Sequence, residues 1–85
     1  MTPQEVEQLI RTGMPSAQVK VESDDGTHFS AVIVSEEFIG KRTLQRHQRV
    51  YSTLGELMGR EIHALTMHTC TSEEWRSIQQ ASQQQ

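Results

Sequence analysis

The chain has 85 residues, 34% of them hydrophobic, and a formal net charge of -3, values that suit one small domain and exclude wholesale electrostatic binding to nucleic acid. A single cysteine excludes an intrachain disulfide and points to a reducing compartment. The acidic start "MTPQEVEQLI" and the lack of any long apolar run exclude a signal peptide or membrane span, so a soluble, cytoplasmic protein is expected.

In chain order, Thr2 and Glu5 form a capping box, Pro3 suits the first helical position, and Val6, Leu9 and Ile10 share one face before Gly13. This predicts a short helix. After Pro15, "AQVKVES" alternates apolar with polar, "DDGT" is a turn, and "HFSAVIVS" has the β-branched, period-two pattern of a better buried strand, so the three form a hairpin. Ser35 caps a brief turn through "EEFIG". Leu44, His47, Val50, Tyr51, Leu54, Leu57 and Met58 then recur at three- and four-residue spacing up to Gly59, which predicts the main helix.

"EIHALTMH" alternates as a third strand, and Thr71 with Glu74 forms a second capping box opening a helix that carries Trp75 and Ile78. A single domain is expected over residues 1–80, with a flexible glutamine-rich tail over 81–85. The order helix, strand, strand, helical turn, helix, strand, helix is α+β. Its long crossover predicts a parallel, right-handed pairing of the second and third strands, with helices over one face of a mixed sheet.

Two features carry chemistry. "REIHALTMHTC", residues 60–70, places His63, His68 and the only cysteine, Cys70, close together. On the residues alone, His63 is either a metal ligand or a histidine at a strand end. His68 lies five residues on and points to the opposite sheet face in a regular strand, which makes it structural, and Cys70 reads as a small buried or half-buried thiol. Lys41, Arg42, Arg46 and Arg49 are half of the eight basic residues, with no acid between them, and form either a solvated helix face or a grip on phosphate. No nucleophile-base motif, phosphate-binding glycine loop or zinc spacing is present, so the chain reads as a non-enzyme.

The stretch "FIGKRTLQRHQRVYSTLGELM" followed by "IHALTMHTCTSEEW" resembles the BolA family over nearly the whole chain. The resemblance rests on Phe38 and Gly40 opening the basic segment, Arg46 with His47, "VYSTL", "IHAL", and the Thr71, Glu74, Trp75 opening of the last helix. It implies a fold like the class II KH domain, in α-β-β-α-α-β-α order. It also implies a non-enzymatic adaptor that partners a monothiol glutaredoxin and shares a [2Fe-2S] cluster held with glutaredoxin and glutathione thiolates. The alternative is a DNA-binding transcriptional regulator. By the resemblance His63 is the cluster ligand, and a second ligand comes from the loop between the first two strands. That loop, "SDDGTH", has no cysteine; His28 is its nitrogen donor, while Asp24 or Asp25 would supply oxygen, which suits such clusters less well. Lys41, Arg42, Arg46 and Arg49 would meet DNA or dock glutaredoxin, and the protein alone would be a monomer or weak dimer.

Overall fold

The computed structural model describes residues 1–83. Helix α1, Pro3–Gly13, begins where the sequence caps it: Thr2 Oγ1 accepts the Glu5 N–H (3.2 Å), and Glu5 Oε1 accepts the Thr2 N–H (3.0 Å). Val6 and Ile10 on its inner face, with Met14 just beyond, are fully buried. Strands β1, Gln18–Glu22, and β2, His28–Val34, form the expected antiparallel hairpin, with Val19 opposite Ile33 and Val21 opposite Ala31.

A 3-10 turn over Glu36–Phe38, capped by Ser35 Oγ, leads to α2, Thr43–Leu54. A second 3-10 turn, Gly55–Leu57, precedes β3, Ala64–Cys70, and the described chain ends in α3, Ser72–Gln83. β3 runs parallel to β2, with His28 opposite Ala64 and Val34 opposite Cys70, which gives a mixed sheet of order β1-β2-β3. The α+β class and element order expected from the sequence are those observed.

Strand alternation separates the two sheet faces. Val19, Val21, Phe29, Ala31, Ile33 and Met67 are buried in one core with Val6 and Ile10 of α1, Val50 and Leu54 of α2, and Phe38 and Ile62 from the connecting segments. Lys20, Glu22, Ser30, Thr66 and His68 are exposed on the other face. Among the described residues, no helix is long and apolar enough to cross a membrane.

Three boundaries differ from expectation. The main helix stops at Leu54 rather than Gly59, because Gly55 takes φ +56°, a conformation outside the helical basin that turns the chain into the second 3-10 segment. With the helix so placed, Leu44 is 69% exposed and Tyr51 is also at the surface, so neither belongs to the core stripe. β3 starts at Ala64, three residues later than the alternation suggested, leaving Ile62 buried in the core and His63 in the approach to the strand. α3 continues through Gln83, past the expected start of the tail, whose residues 84 and 85 lie outside the described residues.

The α1–α2 contact depends on Gly13. A Cβ there would lie 2.6 Å from Thr53 Cγ2 and 2.9 Å from Thr53 Cβ, while Arg49 Nη2 donates to the Gly13 carbonyl (2.8 Å). Gly13→Ala is therefore expected to force the helices apart and destabilise by about 1–3 kcal/mol, with Thr53→Ala recovering part of the loss by removing the nearer atom. Thermal unfolding checks this; an unchanged melting temperature in Gly13→Ala would show that the helices do not approach so closely.

Candidate functional site

Parallel pairing of β2 and β3 sets their N-terminal ends side by side, so that His28 lies opposite Ala64, 36 positions on in the chain, at one end of the sheet. The loop before β2 and the segment before β3 are further tied by the Thr27 carbonyl, which accepts the His63 N–H (2.9 Å). The imidazoles of His28 and His63 consequently stand with ring centres 6.3 Å apart at 63°. Both residues are exposed. Beside them the open sheet face forms a cleft of about 400 Å³ whose lining includes Glu22, Asp24, Asp25, His28, Ala64 and Thr66.

The β1–β2 loop is built around Asp25. Its Oδ1 accepts the backbone N–H groups of Thr27 and His28 (2.9 Å each), and its Oδ2 accepts from His28 Nδ1 (2.7 Å). Ser23 Oγ closes the other side by accepting the Gly26 N–H (2.9 Å) and donating to the His28 carbonyl (2.7 Å). The backbone N–H groups of His28 and Thr27, followed by the His28 ring, hold the Asp25 carboxyl well below the usual carboxylate range. Asp25 is therefore an orienting carboxylate, a role the sequence reading did not give it. The signal available was the spacing in "DGTH", an aspartate three residues before the donor histidine at the mouth of a turn.

Among the described residues no group of three or more His, Cys, Asp or Glu side chains could hold a metal ion, so the two imidazoles would serve only as part of a donor set completed from outside the chain. An imidazole bound through one nitrogen has its ring centre about 3 Å from the metal, so two rings on one ion stand roughly 5–6 Å apart. The observed separation is within a small side-chain rotation of that. A histidine whose other nitrogen is tied to a carboxylate is also the usual arrangement of a metal-bound imidazole.

The remaining histidine and the cysteine lie elsewhere. His68 is exposed on the open sheet face, the next residue of β3 on that face after the cleft-lining Thr66, and Cys70 is buried where β3 meets α3. Burial, reinforced by the nearby Glu74 charge, pushes the Cys70 thiol pKa up, which disfavours the thiolate a metal would need.

The four cations expected to act together divide into two pairs. Arg46, with its side chain 13% exposed, donates from Nε to the Lys41 carbonyl (2.8 Å) and from Nη1 to the Thr69 carbonyl (3.1 Å) and Glu74 Oε1 (2.7 Å); Nη2 reaches Glu74 Oε2 (3.3 Å). Its Cζ also lies 5.7 Å from the centre of the buried Phe38 ring. Arg49 is bonded to Glu37 Oε1 (3.1 Å) and the Gly13 carbonyl (2.8 Å). These two guanidinium groups are engaged in intramolecular contacts, which leaves Lys41 and Arg42 as the more available cations of the four expected to meet phosphate. Lys41 and Arg42 are exposed and have no ion pair among the described residues.

A family model described as BolA-like protein matches residues 2–74. Over 53 residues the chain is 47% identical to the DNA-binding transcriptional regulator BolA of Escherichia coli K12, a match covering 62% of this chain and 50% of that protein. The chain thus spans about half the length of the curated regulators it matches. An uncharacterized protein in the rpoN-murA intergenic region of Acinetobacter guillouiae is 35% identical over 77 residues, 89% of this chain and 92% of that one. Among solved structures, a bolA protein homologue from Coxiella burnetii superposes with a TM-score of 0.81 at 39% identity, covering 89% of this chain and 97% of the other.

Proposed function

Since the chain belongs to the BolA family, we propose that it is a non-enzymatic adaptor that docks a monothiol glutaredoxin and contributes His63, with His28 as second donor, to a shared [2Fe-2S] cluster. The observation that carries this reading is the pair of exposed imidazoles 6.3 Å apart at one end of the sheet. Two nitrogen donors are half of what a [2Fe-2S] cluster requires, and the remaining ligands would be thiolates of glutaredoxin and glutathione. When bound, the cluster supplies electron transfer or a transferable iron-sulfur unit. The chain's own part is to hold the two rings together, one through the Asp25 carboxylate and the other through the backbone bond from His63 to Thr27.

The isolated protein is accordingly expected to be colourless, and a stable cluster on it alone would overturn the shared-ligand reading. Co-expression with a monothiol glutaredoxin should yield a coloured heterocomplex whose visible spectrum differs from that of the glutaredoxin homodimer. Recovery of the homodimer spectrum alone would reject the adaptor.

A DNA-binding regulator is the second reading, favoured by the name of the Escherichia coli relative and by the exposed Lys41 and Arg42. Two available cations limit the phosphate contacts from this segment to about two, so its share of the salt dependence should be a log-log slope near -2 rather than the steeper value four cations would give. Lys41→Ala with Arg42→Ala should remove that share. Binding that weakens equally with salt in the double variant would place the DNA contacts elsewhere.

A further inference from the structure

The hydrogen bonding around Asp25 determines more than the shape of the loop. An ionised carboxylate is acceptor-only, so at the 2.7 Å contact it is His28 Nδ1 that carries the proton. In the neutral ring the lone pair then sits on Nε2, the nitrogen away from Asp25. Oδ1 is already occupied by the Thr27 and His28 N–H groups, so the carboxylate cannot turn and the ring is held in register with the backbone.

We infer that Asp25 is the positioning residue of the metal-binding end: it fixes His28 in the Nδ1–H tautomer, making Nε2 the donor that acts together with His63 on a borderline transition-metal centre. This deepens the cluster reading and rests on it for the identity of the natural metal. The tautomer and the donor property belong to the isolated chain. Asp25 acts through His28 and does not itself ligate.

The discriminating variant is Asp25→Asn. The amide oxygen can keep both backbone N–H bonds, so the turn survives, but the amide NH2 now faces Nδ1 and donates to it. With the amide donating to Nδ1, whose other neighbour is Thr27 Oγ1 at 3.2 Å, the ring proton is expected to shift to Nε2, which removes the lone pair from that nitrogen. Two readouts on the isolated protein follow: the His28 tautomer by long-range nitrogen-proton NMR, and Zn2+ affinity by calorimetric titration, with the His63 signals followed in parallel.

Wild type should show the Nδ1–H form and bind Zn2+, and Asp25→Asn should show the Nε2–H form with Zn2+ affinity about 10–100-fold weaker, the usual effect of losing a partner that orients a metal-bound histidine. In a His28→Ala background, Asp25→Asn should cause no further loss, as expected of a residue that acts only through that ring. Any of three results would overturn the inference: an Nε2–H ring or no Zn2+ binding in wild type, unchanged affinity in Asp25→Asn, or a further loss in the His28→Ala background, which would make Asp25 a ligand. Failure of the cluster reading is separate and appears as a glutaredoxin mixture with no new chromophore, whatever the tautomer.

Discussion

Arg46→Ala is expected to lower the melting temperature by roughly 10 °C or more, with any loss of nucleic-acid binding following from that damage. The Arg46 side chain joins four parts of the fold: it lies over Phe38, bonds the carbonyls of Lys41 and Thr69, and holds Glu74 of α3 through a two-pronged ion pair. Glu74 is 48% exposed, so water recovers part of the lost interaction at that end. The bond to the Lys41 carbonyl is likewise open to water, but the part-buried bond to the Thr69 carbonyl and the cover over the fully buried Phe38 have little such replacement, because the Arg46 side chain is only 13% exposed. Charge-assisted hydrogen bonds of this kind put the loss at about 2–3 kcal/mol, and for a domain of this size each kcal/mol is worth about 4–8 °C. Arg46→Lys separates the structural role from a phosphate grip. An ammonium keeps the charge that DNA would need but lacks the planar fork, so it should be nearly as destabilised as alanine. A wild-type melting temperature in either variant would reject the network.

The same ion pair gives stability a defined pH dependence. The Arg46 side chain, followed by the Thr71 N–H, lowers the Glu74 pKa from 4.5 to about 2. A carboxyl with a depressed folded pKa binds its proton more tightly in the unfolded chain, so its contribution is fully present above the ordinary value of 4.5 and is lost as pH falls through about 2. Glu5 and Glu36, lowered by their bonds to Thr2 and Ser72, act in the same direction. Chemical denaturation between neutral pH and pH 2 should show wild type losing stability more steeply than Glu74→Gln; parallel curves would mean the pair is open in solution.

What the sequence made legible was local. Both capping boxes are relations across three residues and the Ser35 cap one across two, and each appears with its reciprocal or single hydrogen bond in place. The hairpin turn and the inward faces of β1 and β2 are likewise set by neighbours. What escaped was determined by contacts across the chain. Arg46 reads as a surface cation because its partner Glu74 is 28 residues away, and Arg49 because the Gly13 carbonyl is 36 away in the other direction. The end of α2 escapes the periodicity because Leu57 and Met58 continue the apolar spacing while Gly55 has already broken the helix. For the site, the sequence offered His63 and His28 as separate candidates. Element order implied a parallel β2–β3 pair, but only the register, His28 opposite Ala64, sets the two rings beside each other.

His63→Ala is expected to leave the fold intact and to change the shared cluster more than any other single substitution in the chain. The side chain is exposed, and the bond that anchors residue 63, from its N–H to the Thr27 carbonyl, belongs to the backbone and survives in alanine. The core at this point is held by Ile62, which is fully buried. The melting temperature should therefore shift by no more than the equivalent of about 0.5 kcal/mol. In the proposed glutaredoxin heterocomplex the variant would remove one imidazole ligand and leave His28 alone. Histidine ligation raises the potential of a [2Fe-2S] centre relative to thiolate, so the variant's potential should fall by on the order of a hundred millivolts or more, with visible circular dichroism moving toward an all-thiolate spectrum. His28→Ala should move the same observables less, since His63 would remain. Melting temperature and cluster spectra measured on the same preparations separate the possibilities. Unchanged spectra in His63→Ala would remove its assignment as a ligand, and a large fall in melting temperature would make the residue a structural support of the strand end.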